Sequence, residues 1–259
     1  MPNLTKRAKI AISTVFLVVG LFLLPGMQPQ YKVYSLVGLI TLSYVLSAWS
    51  IFLDVSGLEF VTLFVLPVVL TASFGLFIFE FDPSPLLRAL LSVTFGLVYY
   101  TILLAENIFN VSAERNIPLL RAANTVGYLT TLFVSFAVFS LLFSLGIDGY
   151  LFTIATFATG FFLFAQAFWQ IKLEETDIRS LLRDSLVAAL LLAEFAWILT
   201  FWPLPPAKLG LALAAMIYVL LGIIQHLIKE DLTNRSVGEY LFVALAVFLL
   251  LSATTSWGG

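Results

Sequence analysis

The sequence contains no cysteine and a single histidine. Thiolate metal sites, disulfides and cysteine nucleophiles are therefore excluded. One histidine cannot furnish a two-histidine metal site or bis-histidine haem ligation. Charge is scarce too, at 11% of residues against roughly one quarter in soluble domains. The basic residues are scattered and the pI is near 5.4, so nucleic acid is not an expected partner. No phosphate-binding loop, dinucleotide fingerprint, GxSxG or HExxH occurs. No lysine falls inside an apolar run, so a retinal-type Schiff base has no anchor. No metal ligand set and no cofactor is expected.

What the chain has in abundance is apolar sequence, 61% of its residues, with a mean hydropathy of +1.05. Apolar runs of about twenty residues recur from end to end, the length a helix needs to cross a hydrocarbon core of roughly 30 Å. The alternating pattern of a membrane β-barrel is absent. The expectation is an all-α, polytopic integral membrane bundle, one transmembrane domain over residues 1–259, with the lipid bilayer as its main partner. Nine spans are predicted, at 10–25, 33–53, 58–79, 86–108, 124–145, 150–171, 185–202, 208–228 and 238–255. The apolar run after Lys6, Arg7 and Lys9 reads as a retained first span, because "LLPGMQPQ" lacks a small-x-small cleavage site.

With the N-terminus in the cytoplasm, ten of the lysines and arginines fall inside and three outside, in keeping with the positive-inside rule. Only "LDVSGLE", assigned inside, lacks a positive charge. Loops are short. Ser84 and Pro85 suit the cap and first position of the fourth helix. Pro67 is expected to kink the third. Residues 109–123 read as an interfacial amphipathic segment.

Ser56, Asn116, Thr176 and Ser236 stand sixty residues apart, each a good N-cap type ahead of a span. Ser56 with Glu59, and Ser236 with Glu239, fit the capping box. Pro25, Pro85 and Pro205 fall on the same sixty-residue grid on the other side, with Leu145 in the remaining slot. The pattern suggests one leading helix followed by four helical hairpins of the same orientation, a parallel repeat. Bilayer thickness and short loops would impose a near-constant hairpin length on any sequence, and identity between the units is slight.

Polar residues inside the spans carry what functional signal there is. "LLLAEFAWIL" holds Glu194 about ten residues from Asp184, hence roughly 15 Å up the helix. An ionised group at that depth costs about 2.5 to 3.5 kcal/mol on insertion scales, so Glu194 is expected neutral or paired. Its neighbours on its own helix are apolar, and Thr153, Thr156 and Thr159 on span six are the expected partners. A helix clip through one hydrogen bond would account for it as well as a proton or cation pathway does. A second set lies near the inner ends of spans four, six and eight: Glu106 with Asn110, Gln166 with Gln170, and His226 with Glu230. Each pair is i,i+4 and shares a face. Together they would form a polar inner vestibule able to bind a small solute or relay protons, the imidazole being the side chain suited to switching near neutral pH. Ordinary interfacial polarity is the plainer account, since all lie within a few turns of a loop.

Three functions are compatible with these residues. The first is a small-solute or proton- or cation-coupled transporter-like protein, using Glu194 and the inner set. The second is a non-catalytic subunit or scaffold of a larger membrane complex, with a protein partner in the membrane. The third is an intramembrane enzyme on a lipid-linked substrate; catalysis ranks last, because acid and base groups are so few. The expected location is a cell membrane crossed many times, of the prokaryotic cytoplasmic type.

Overall fold

The computed structural model describes residues 4–51, 59–114, 119–173, 177–228 and 230–255. Among them, nine helices of 17 residues or more account for nearly all of the chain, and no strand occurs. We number them α1 (Lys6–Leu23), α2 (Pro29–Ile51), α3 (Val65–Phe81), α4 (Pro85–Glu114), α5 (Leu120–Ser144), α6 (Gly149–Lys172), α7 (Ile178–Leu199), α8 (Pro206–Ile228) and α9 (Asn234–Thr254). Each overlaps one expected span. Seven are long and apolar enough to cross a membrane. Of the other two, α3 is apolar but only 17 residues long. Helix α7 has the length but carries Arg179, Arg183, Asp184 and Glu194. The chain is a multi-pass α-helical membrane protein.

It packs as two compact units, residues 1–130 and 131–259, with the boundary inside α5. In the first unit α1 lies against α2 and α4, and α3 fills in against α2 and α4. In the second, α6 and α7 pair along their length, α8 packs on both, and α9 leans on α8. Lys208 at the start of α8 donates from Nζ to the carbonyl of Thr254, closing the far end of α9. A cation at a helix C-terminus also suits the macrodipole.

Helix ends depart from the expected caps in instructive ways. Ser236 lies inside α9 and is not its cap; Thr233 accepts from the Ser236 amide at 3.2 Å instead. Three residues of register are thereby lost, so Glu239 cannot close a capping box and pairs with Arg235 at 3.1 Å. Helix α7 starts a full two turns before the expected Ser185, because Asp177 accepts from the amides of Arg179 and Ser180 at 3.3 and 3.2 Å. A carboxylate is at least as good an N-cap as a threonine. Ser56, Asn116 and Thr176 lie outside the described residues. Helices α2, α4, α6 and α8 begin at 29, 85, 149 and 206, near an interval of sixty without keeping it.

The expected interfacial segment is largely absorbed into helix. Helix α4 runs to Glu114 and α5 begins at Leu120. Pro67 does more than kink its span. A helical turn at Glu59–Thr62 is followed by a break at Leu63–Phe64, and Pro67 sits in the first turn of α3. A proline ring clashes with the carbonyl four residues back, here that of Leu63, and offers it no N–H. Thr62, Leu63 and Phe64 are all buried, the condition on which non-helical backbone is tolerated at membrane depth.

Close approach in the second unit depends on a missing side chain. A Cβ placed on Gly210 would lie 1.9 Å from Ser140 Oγ and 2.9 Å from the backbone oxygen of Phe136, so α5 and α8 touch there almost backbone to backbone. Gly210→Ala is expected to lower stability by about 1 to 3 kcal/mol through overpacking. Gly38→Ala meets nothing within 4 Å and should hold or raise it. Thermal unfolding in detergent compares them, and equal midpoints would refute the close contact.

Candidate functional site

In the first unit the buried polar atoms gather on facing sides of α1, α2 and α4. Ser43, Ser47 and Ser50 recur at helical spacing along α2 and are all buried. Ser50 donates to the Leu46 carbonyl at 2.6 Å and shares a 2.9 Å hydrogen bond with Ser13 of α1. Ser47 shares a 2.8 Å bond with the hydroxyl of Tyr99 on α4, which also donates to the Ser43 carbonyl at 3.3 Å. Tyr99 is wholly buried, stacked on Phe95, and Phe95 meets Phe74 of α3. Phe64, at the break, lies edge-on to Tyr44 of α2 with ring centroids 5.3 Å apart. Gly75 lies against Leu36; carried down this antiparallel pair, that register brings the break level with Ser47.

Below the hydroxyls, the same face of α4 turns more polar. Tyr99, Leu103, Glu106 and Asn110 follow one another at spacings of four, three and four, and none is more than 1% exposed. Tyr99 and Glu106 are two turns apart, about 10 Å along the axis. Asn110 keeps both its Oδ1 and its Nδ2 buried without a hydrogen bond among the described residues, and Asn107 Oδ1 is in the same state. A buried amide with donor and acceptor both open asks for a function. Helix α1 runs antiparallel to α4, with Thr14 and Val18 against Gly96, which puts half-buried Lys6 at about the level of Glu106. The first unit thus joins a broken helix, a bonded row of hydroxyls and an interior carboxyl with amides beside it. Such an arrangement can bind a proton or a small polar solute away from lipid.

The rest of the expected inner set belongs to the second unit. Gln166 and Gln170 share a buried face of α6, at 1% and 6% exposure. His226 and Glu230 do not share a face, because α8 ends at Ile228. The Asp231 amide donates to the His226 carbonyl and that of Glu230 to Leu227, a Schellman closure with Glu230 left-handed at φ 56°. That closure swings Asp231 back, so its Oδ1 lies 2.7 Å from His226 Nδ1. Tyr240 of α9 covers the same spot, 6.0 Å from the imidazole and 5.3 Å from Tyr218.

Glu194 and the threonines are not brought together. Gly160 of α6 meets Leu192 of α7, and the buried face of α7 is Leu181, Ser185, Ala188, Ala189, Leu192, Ala193, Ala196 and Leu199. Glu194, two residues from Leu192, is turned some 200° from it and is exposed. Among the described residues its carboxyl has no hydrogen bond or ion pair. Thr153 donates to the Gly149 carbonyl at 2.9 Å, Thr156 is buried with Oγ1 unbonded, and Thr159 is half-buried. Sequence reasoning passed over Tyr99 and the α2 serines. Their signal was the S-x-x-x-S-x-x-S spacing in "LSYVLSAWSI".

Fold and site define a polytopic helical membrane protein with an interior polar file in its N-terminal unit. Residues 50–254 match a family described as "Protein of unknown function (DUF5656)", and the chain belongs to that family. The matched stretch includes Tyr99, Glu106, Asn110, Glu194 and His226. No curated protein and no solved structure matches the chain.

Two measurements check this geometry. Tyr99→Phe and Ser47→Ala should each cost roughly 0.5 to 1 kcal/mol, and the double variant clearly less than their sum, since both remove the bond that the two residues share. Strict additivity in detergent unfolding would disprove the pair. Glu230→Gly relieves a left-handed non-glycine residue and should raise stability by about 1 kcal/mol; a lower unfolding midpoint would count against the Schellman closure.

Proposed function

We propose that the protein is a small-solute transporter of the proton- or cation-coupled kind, and that Glu106 is its coupling carboxyl. The observation that carries this reading is the burial of Glu106 and Asn110 on the interior face of α4, at 1% exposure each. Ionisable groups that face a bundle interior within membrane spans commonly mark ion or proton pathways. The break at Leu63–Phe64 adds the discontinuous helix on which many carriers build their sites. A site there needs a group that changes charge, and Glu106 supplies it; Asn107 and Asn110 supply neutral donors and acceptors. An enzyme on a lipid-linked substrate has less behind it, for His226, its candidate base, is engaged by Asp231. The exposed Glu194 favours a second reading, a membrane subunit that assembles through α7.

The test is flux in proteoliposomes. With an imposed potential and a pH-sensitive dye inside, the purified chain should carry protons, or sodium or potassium when these are the only permeant cations. Glu106→Gln, similar in size but unable to ionise, should fall to the level of empty liposomes, while Glu194→Gln should not. Equal flux through wild type, Glu106→Gln and empty liposomes would defeat the transport reading and leave the subunit.

A further inference from the structure

Asn110 raises a question that a proton alone does not answer. Its side chain is 1% exposed, and both Oδ1 and Nδ2 are without a hydrogen bond among the described residues. The Oδ1 of Asn107 is buried in the same condition. A carboxyl that takes up only a proton leaves these amide oxygens open. Glu106, Asn107 and Asn110 stand at i, i+1 and i+4 of α4, so they fan over about 100° of its surface within about 6 Å of rise. Helical side chains tilt toward the N-terminus, so Asn110 leans back over the turn that carries the other two. The three side-chain oxygens thus converge beside Ala105 and Phe109, which are buried as well.

We propose that these three side chains form a binding site for a univalent alkali cation, sodium or potassium. As the coupling ion of a carrier it rests on the transport reading of Glu106, but its binding is measurable without flux. The donor set selects the ion. Hard cations take oxygen ligands, and the triad offers a carboxyl and two amide oxygens. One carboxylate matches one positive charge, whereas a divalent ion would leave a net charge buried, at a large cost. Among the described residues no three His, Cys, Asp or Glu side chains gather into the richer set that such an ion takes. A neutral solute would satisfy the amides but does not call for a carboxyl beside them. Proton and cation compete for Glu106, so each displaces the other and no fixed protonation state is needed. Of the helices packed on α4, the described charged residues toward this end are Lys6, Arg7 and Lys9 of α1. Arg7 is exposed and Lys9 lies over the Trp49 ring, which leaves half-buried Lys6 as the competing cation. The amide nitrogen of Asn110 cannot ligate a cation and remains to donate to an oxygen of the accompanying solute.

The test follows thermal unfolding of the purified full chain in detergent, in chloride salts of equal ionic strength. Sodium or potassium should raise the midpoint saturably over choline, as a ligand of the folded state does. Acid should weaken the effect, because the proton competes. Glu106→Gln should abolish it, and Asn110→Leu should raise the apparent dissociation constant about tenfold, the loss of one contact to a charge. Glu194→Gln, on the exposed side of α7, should respond as wild type. Equal midpoints in sodium, potassium and choline would overturn the proposal, and so would an undiminished shift in Glu106→Gln. A shift given by calcium or ammonium but by neither alkali ion would overturn it as well. The comparison of salts needs only the wild type, so it stays decisive where a variant folds poorly. An alkali-specific shift without flux in proteoliposomes keeps the site and sinks the carrier; proton flux without the shift does the reverse.

Discussion

A polar group in the bilayer core has no water to bond to, and most of this fold answers that constraint. The backbone answers it by being helical along the spans and by burying the break at Leu63–Phe64. Side-chain hydroxyls answer it mostly at home. Thr14, Thr41, Thr71, Thr101 and Thr153 each donate to the carbonyl four residues back. An interhelical hydrogen bond in a membrane averages only about 0.6 kcal/mol, because the separated helices find such local partners too. Bonds that do cross between helices are therefore worth attention for where they fall. Ser13 to Ser50 and Ser47 to Tyr99 join α1, α2 and α4 in the half of the first unit that also holds the helix break. They hold that interior together where Pro67 has weakened it.

Much of the fold was legible because the same constraint writes itself into hydropathy. Each expected span meets a helix, and Pro85 opens α4 with Ser84 accepting from Leu87 at 3.5 Å. Caps were less legible, since neighbouring residues compete for one role. In "EETDIRS" the aspartate caps α7, and in "LTNRSVGE" the earlier of two hydroxyls caps α9. Hydropathy has no term for that competition. The break at Leu63–Phe64 was half visible, in that the proline was seen but its effect belongs one turn upstream.

Facing was the least legible property, and the two carboxyls show why. Glu194 stands alone in an apolar run while Glu106 has Asn107 beside it and Asn110 a turn on, yet the turn before each is apolar, Ile102 and Leu103 before Glu106 and Leu190 and Leu191 before Glu194. In water the buried face of a helix is the apolar one, so sequence reports orientation. In lipid the outside is as apolar as the inside, and the contrast vanishes. Glu194 is exposed together with its large apolar neighbours Leu190, Leu191, Trp197 and Ile198, a surface that hydropathy does not tell from an interior. Glu106 was grouped with interfacial residues for its nearness to a loop, yet α4 continues two turns beyond it and it is buried. Small residues are a better guide than polarity. The packed face of α7 carries Ser185, Ala188, Ala189, Ala193 and Ala196, small residues that suit close helix contact, and where it presents Leu192 the facing residue of α6 is Gly160.

That division of α7 into a small-residue face and a large-residue face bears on how each can be used. The small face fits a partner at short range, held by van der Waals contact along the whole helix, and it is occupied by α6 within the same unit. Val187, Leu191, Ile198 and Phe201 cannot be approached as closely, and helices meeting there must interlock side chains at the wider spacing of about 8 to 10 Å. On the small face even Leu192 fits only because Gly160 opposes it with no side chain, whereas Leu191, Glu194 and Ile198 point away from α6 and are exposed, so a long polar side chain there leaves the packing of its own unit undisturbed.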